Sequence, residues 1–362
     1  MIRVLYDGWP LAYQPNSPEA LHLLALLEQR QPEVHHSVAL PADPPGWLPA
    51  GAAVHVAAGE DSPRARLKWE QSTLPRLANE LHADLLHLTS AHPPLFGKSR
   101  SLVSPAEFPT GERQTGFVAH LREAVSSGGM AKLRGLLWPA DLSAPTMPHF
   151  STQIYSLPAE PCPDDTDGVS RSQLEAENLA LPETYILVHS PHTLLSLRQL
   201  LDAWSWADGS IGEYYPLLLL GLDSKGRERL SRLLADYALG QSVQILPPLH
   251  PGAIPALVQG SSAVFHPAPL PPWGSIARLA LSYGKPLVAS ESPLADALAG
   301  PAAYLAPETN PRALGAGLIT VIIEEDIAQN LSQAGRERAA SWGASMFGEK
   351  LFATYEAVLA QS

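Results

Sequence analysis

The sequence predicts an α/β protein built from two parallel-sheet halves. Three observations lead there. Short apolar runs alternate with longer amphipathic segments, the order of strand–helix–strand units. The runs are apolar throughout rather than at every second position, as strands covered on both faces must be. The chain has 362 residues, enough for two domains of ordinary size, each able to bury its own core.

In the first half the expected strands are Ile2–Tyr6, Ser37–Leu40, Ala53–Ala57, Leu85–Leu88, Ser101–Ser104 and Asp141–Ala144. Helices are expected over Pro18–Gln29, Arg64–Leu81 and roughly Val118–Leu137. In the second half the expected strands are Tyr185–His189, Leu217–Gly221, Val243–Leu246, Ala263–Phe265, Pro286–Ala289 and Ala303–Leu305. Between and after them helices are expected over Leu194–Trp206, Lys225–Tyr237, Pro251–Gln259, Ser275–Tyr283, Ser292–Ala299 and Arg312–Glu325. Residues 156–182, rich in turn formers and charges but without a period, read as the join. The first domain is therefore placed at 1–168 and the second at 169–344. A terminal helix over 345–360 spaces Phe347, Leu351, Tyr355 and Leu359 by four. That single apolar face must pack on something, and it is expected to pack back on the first domain.

Charge narrows the function classes. Formal net charge is −12, from 24 Lys and Arg against 36 Asp and Glu. Residues 1–155 hold 12 basic and 14 acidic side chains, so about −10 lies in the remainder. No basic stripe is present to neutralise nucleic-acid phosphates, and no polybasic helix to hold an anionic membrane. Nucleic acid is excluded as a partner. No apolar run approaches a bilayer span, and Asp7 interrupts the first one, so a cytoplasmic location is expected. Cys162 is the single cysteine, which rules out an internal disulfide or a cysteine-rich zinc site. The 36 prolines, many in loops such as Pro41–Pro49, imply stiff connections.

Short motifs carry little. Phe96-Gly97-Lys98-Ser99 ends like a phosphate-binding loop, but His92 stands where its first glycine is needed. The sequence has no GxGxxG after a strand, no HExxH and no GxSxG. His35 and His36 alternate faces on a strand. Asp164, Asp165 and Asp167 lack the ligands that complete a calcium loop. No metal or resident cofactor is expected.

Longer stretches resemble group 1 (family 4) glycosyltransferases, which use nucleotide sugars. Met1-Ile-Arg-Val-Leu-Tyr-Asp-Gly-Trp-Pro-Leu11 is similar to the family's opening strand. Trp69-Glu-Gln-Ser-Thr-Leu-Pro75, Ala83-Asp-Leu-Leu-His87 and Pro93-Pro-Leu95 resemble the acceptor-side domain. Leu181–Val188, Val243–Leu246, Ala256–Gly260, Ala263–Phe265, Tyr283–Ser290 and Ser341-Trp342 follow in the order of the donor domain. The resemblance implies the GT-B architecture: two Rossmann-like domains facing across a cleft, with the terminal helix crossing back.

It also implies donor-binding groups that this sequence lacks. In the family an Arg-Lys pair and a facing helix N-terminus stabilise the departing diphosphate, and two glutamates hold the sugar and ribose. Leu194 and Leu195 fall at the Arg-Lys pair, and Pro271 and Leu279 at the glutamates. Tyr13-Gln-Pro-Asn-Ser17 replaces a Gly-rich turn. No residue is assigned to catalysis. His189, Ser190 and His192, after the first donor-domain strand, and Gly274 and Ser275, at a helix start with Ser275 as N-cap, are the candidate ligand contacts. Three readings follow: an enzyme with a divergent site moving a sugar from a nucleotide donor, an inactive homologue serving as a structural or regulatory partner, and a module binding a small molecule in the cleft. Under the second, the rigid Pro267–Gly274 stretch is expected to be an exposed partner surface or else to plug the donor pocket.

Overall fold

The computed structural model describes residues 1–106, 117–142, 152–161, 174, 179–189 and 194–361, with the backbone alone for 194 and 195. Two sheets organise it. The first runs β3-β2-β1-β4-β5-β6-β7, from β1 (Ile2–Asp7), β2 (Val34–Leu40), β3 (Ala53–Val56), β4 (Leu85–Leu88), β5 (Arg100–Val103), β6 (Gly135–Pro139) and β7 (Ile154–Leu157). The second runs β10-β9-β8-β11-β12-β13, from β8 (Ile186–His189), β9 (Leu217–Leu220), β10 (Val243–Ile245), β11 (Ala263–His266), β12 (Leu287–Ser290) and β13 (Tyr304–Ala306). All strand pairings among the described residues are parallel. Strand order reverses between β1 and β4 in one sheet and between β8 and β11 in the other. In doubly wound sheets such reversals open a crevice at the carboxyl ends of the strands.

Each sheet is covered on both faces, which is why its strands are apolar throughout. In the first, Val4, Tyr6, Val38 and Leu85 face one core, while Leu5, Ala39, Leu86 and Leu88 face another with Trp9 and Trp69. Strand β8 divides likewise: Leu187 joins one core of the second unit, and Ile186 and Val188 the other. The last helix, Phe347–Ala360, places Phe347, Leu351, Tyr355 and Val358 among Val4, Tyr6, Leu23 and Leu85 of the first unit.

Three sequence expectations need correction. The helix expected over Val118–Leu137 is Phe117–Met130, and Gly135–Pro139 is strand β6. Gly129 brings that helix against the chain at Pro93, whose carbonyl oxygen lies 2.3 Å from where a Cβ would stand. The run Leu136-Leu137-Trp138 is buried on both faces, and an apolar run this short reads equally as strand or helix. Of the strand expected at Asp141–Ala144, Asp141 and Leu142 lie in a turn, and 143–144 fall outside the described residues. The Arg64–Leu81 helix is interrupted by one π-turn, Trp69–Thr73, which leaves Trp69 and Glu70 buried. Pro75, with no N–H to donate, follows it.

The Glu325–Ala340 helix was not expected; only Gly335 in it is buried, with Leu331, Ala334 and Ala339 partly buried against the second unit's cores. The boundary placed at 168/169, Cys162 and Asp164, Asp165 and Asp167 lie outside the described residues. Among the described residues, no helix is long and apolar enough to cross a membrane, and no cluster of His, Cys, Asp and Glu could hold a metal ion.

Candidate functional site: the crevice between the two sheets

Among the described residues, the contacts across the crevice include three that involve buried polar groups. At the first, the Tyr13–Ser17 turn reaches over from the first unit. Asn16, 2% exposed, donates through Nδ2 to the Leu249 carbonyl at 2.9 Å and accepts the Leu249 N–H at 2.8 Å. His189, at the carboxyl end of β8, donates from Nε2 to the Asn16 carbonyl at 2.6 Å. A turn that must accept and donate with one side chain suits an Asn, and Ser17 then caps the helix Pro18–Glu28 by accepting the Ala20 N–H.

At the second, Gly274 starts the turn into the helix Ile276–Ser282. Its φ of +63° is left-handed, and a Cβ there would lie 2.0 Å from the Pro18 carbonyl oxygen. Only glycine meets both conditions. The Gly274 N–H donates to Glu160 Oε1 at 2.5 Å, and Glu160 Oε2 lies 2.8 Å from His22 Nδ1. The His22 ring stacks on Trp273, with centroids 4.7 Å apart and planes at 16°. Ser275 accepts the Ala277 N–H, as an N-cap does. At the third, Arg278, itself 2% exposed, forms a two-pronged pair with Asp141 at 3.0 and 3.2 Å, its guanidinium over the Trp342 ring.

The structure therefore gathers His189, Gly274 and Ser275 along the crevice, each already engaged. Ser190 and His192, and the side chains of Leu194 and Leu195, lie outside the described residues. The stretch Pro267–Gly274 is corrected as a partner surface: within it Pro269 is exposed, Ala268 is half-buried and the rest is buried. Trp273 sits in the first unit's core and contacts Phe347 edge-on.

Beside the crevice, under the carboxyl end of β1, lies a second polar cluster. Glu70, 1% exposed, takes Arg122 at 2.6 and 2.8 Å and Arg66 at 2.8 Å. Burial acts to raise the Glu70 carboxyl, but Arg122 and Arg66 outweigh it and hold it below its ordinary value. Asp7 accepts the Trp9 N–H and the Trp69 Nε1–H on one oxygen; burial raises its carboxyl. His92 donates to or accepts from Ser126 and is pushed down to about 3, by burial and then by Arg122.

The sequence did not point to Asn16, His22 or Glu160. Asn16 entered only as part of the Tyr13–Ser17 turn, and Glu160 only as part of the join. His22 carried the one available signal, a histidine between Leu21 and Leu23 on a helix that is otherwise apolar there.

Residues 178–338 match the family model described as glycosyl transferases group 1. The match lies in the second unit of the chain. The chain as a whole has the GT-B fold, seen also in its structural relatives. WaaG, a glycosyltransferase involved in lipopolysaccharide biosynthesis, superposes with a TM-score of 0.73 at 14% identity, covering 99% of this chain and all of that one. HepE of Anabaena, solved with UDP and glucose, gives 0.70 at 15% identity over 98% of this chain and all of its own. The sucrose-phosphate synthase of Thermosynechococcus elongatus gives 0.68 at 16% identity over the whole of both chains. No curated protein sequence matches the chain.

Proposed function

We propose that this protein keeps the scaffold of group 1 glycosyltransferases with its donor crevice closed by its own side chains, transfers no sugar in that state, and works through contact as a structural or regulatory partner. The observation that carries the reading is the Glu160 carboxylate on the Gly274 N–H, at the helix start where the family resemblance would seat a diphosphate. A diphosphate brought there meets a carboxylate instead of a free N–H, and no Arg-Lys pair offsets the repulsion, since Leu194 and Leu195 stand in its place. Charge-assisted hydrogen bonds contribute about 1.5–3 kcal/mol each, so their loss weakens binding by one to two powers of ten per contact.

Calorimetry with UDP, GDP, ADP and their sugars tests this. Dissociation constants of about 1 mM or weaker are expected, with no hydrolysis of radiolabelled donors. Micromolar affinity or turnover would overturn the reading.

A second reading is transfer from a nucleotide sugar once the crevice opens. It is favoured by the family match over 178–338 and by HepE, whose complexes contain UDP and UDP-glucose. Asn16→Ala combined with Glu160→Gln separates the two. If UDP-glucose binds that variant at least tenfold more tightly than the parent, the opened crevice is a donor site.

A further inference from the structure

Seven buried side chains form one unbroken run of hydrogen bonds that ends on the Gly274 amide. His36 Nδ1 lies 3.1 Å from Tyr6 Oη, which lies 2.9 Å from Tyr355 Oη. Tyr355 Oη is 2.8 Å from His87 Nδ1, and His87 Nε2 is 2.8 Å from Ser104 Oγ. Ser104 Oγ is 2.7 Å from His22 Nε2, and His22 Nδ1 is 2.8 Å from Glu160 Oε2. The run draws on β1, β2, β4, the residue after β5, the helices Pro18–Glu28 and Phe347–Ala360, and the segment after β7. None of the seven residues is more than 8% exposed.

Each interior member is both a donor and an acceptor: a hydroxyl gives one proton and accepts another, and a neutral imidazole presents one N–H and one bare nitrogen. An unbroken run of such groups has only two complete arrangements, all pointing one way or all the other. A charged His87 would break it by donating on both sides. Burial, with His22 and His36 nearby, holds His87 well below the ordinary histidine value, so the ring is neutral. Burial likewise raises Tyr6 and Tyr355, keeping both phenols protonated.

We propose that this run is a two-state proton relay, whose direction is set by how many protons the His22–Glu160 pair holds and whose outer end is His36. With one proton on the pair, His22 Nδ1–H donates to the carboxylate and bare Nε2 accepts from Ser104. His87 then carries its proton on Nε2, Tyr355 donates to His87, Tyr6 to Tyr355, and His36 Nδ1–H to Tyr6. With a second proton on the pair, His22 Nε2–H donates to Ser104 and every later bond reverses. His87 then carries its proton on Nδ1, and His36 carries its own on Nε2.

The two states differ by one proton, and shifting each proton one bond along the run converts the first into the second when that proton arrives at His36 Nε2. That nitrogen is buried and has no side-chain hydrogen-bond partner. Burial and then the neighbouring His35 lower the His36 ring, and a hydrogen bond to the Gln29 backbone offsets part of this. Among the described residues, the titratable side chains that act on Tyr6, His36, His87 and Tyr355 are members of the run and His35.

Long-range ¹H–¹⁵N spectra of histidine-labelled full-length protein report which nitrogen of each ring is protonated. Whenever His22 carries protons on both nitrogens His87 is expected in the Nδ1–H form, and whenever His22 Nε2 is bare it is expected in the Nε2–H form. Glu160→Gln, whose amide can donate to His22 Nδ1, should hold His87 in the Nδ1–H form at every pH. Ser104→Ala should break the link, so that the His87 tautomer no longer follows the protonation of His22 Nε2. A His87 tautomer that ignores the charge of His22 in the parent protein overturns the proposal, whether or not the variants fold.

Discussion

Glu70 shows how much a single side chain carries when it is buried among opposite charges. Its carboxylate is shared by Arg66 and Arg122, and Arg66 also pairs with Glu19 and lies over the Trp9 ring. Removing one partner of a buried pair leaves the others uncompensated, at a cost of about 3–5 kcal/mol. Glu70→Ala is therefore expected to lower the unfolding free energy by that amount in urea titrations, far more than the exposed pair Arg232–Glu228, for which no measurable loss is expected.

The same cluster sets a pH dependence. His92 titrates near 3 when folded and near 6.5 when unfolded, so between those values the unfolded chain binds a proton that the folded chain refuses. Its contribution is fully present above about 6.5 and declines as the pH falls toward 3. His36 and His87, also lowered, act in the same direction. Glu70, depressed below 4.5, adds stability that is lost only at more acid pH, as its folded carboxyl takes up a proton. Urea midpoints at pH 7 and pH 5 should fall steeply in the parent and less steeply in His92→Asn; equal slopes would refute the assignment.

At the scale of elements, apolar runs located most strands, but their lengths did not always separate strand from helix. Leu85–Leu88 and Leu217–Leu220 were legible because turn residues bound them closely. Gly135–Pro139 was not, because an amphipathic helix precedes it after only a short turn. The Phe347–Ala360 helix was legible as an amphipathic face from its spacing of four. What it covers depends on residues more than 300 positions away. Phe347 is fully buried against Trp273 and the first sheet's core. Phe347→Ala should cost about 3–5 kcal/mol, measured by chemical denaturation. A cost under 1 kcal/mol would mean that the helix is not seated as described.

The whole molecule adds the closure of the crevice. Asn16 with Leu249 and His189, Glu160 with Gly274, and Arg278 with Asp141 are separate contacts across one interface, so loosening one should not open it fully. Gly274→Ala attacks it hardest. The left-handed backbone alone costs about 1–2 kcal/mol with a Cβ present, and the Pro18 carbonyl must also move. Small-angle scattering should show a larger radius of gyration for Gly274→Ala than for the parent, with Asn16→Ala between them. Unchanged radii in both would mean that other contacts hold the units together.

The sequence by itself determined the parallel α/β class, the order of most elements and the family resemblance, because apolar runs and turn residues act over a few positions of chain. The same resemblance led to the expectation that Leu194, Leu195, Pro271 and Leu279 stand at the family's donor-binding positions. Only the tertiary structure decided what fills the crevice. Asn16 and His22 are far in sequence from Glu160 and Gly274, and each alone reads as an ordinary loop or helix residue. Hydrogen bonds and ring stacking act over about 3–5 Å, so their pairing exists only once two sheets have brought their carboxyl ends together.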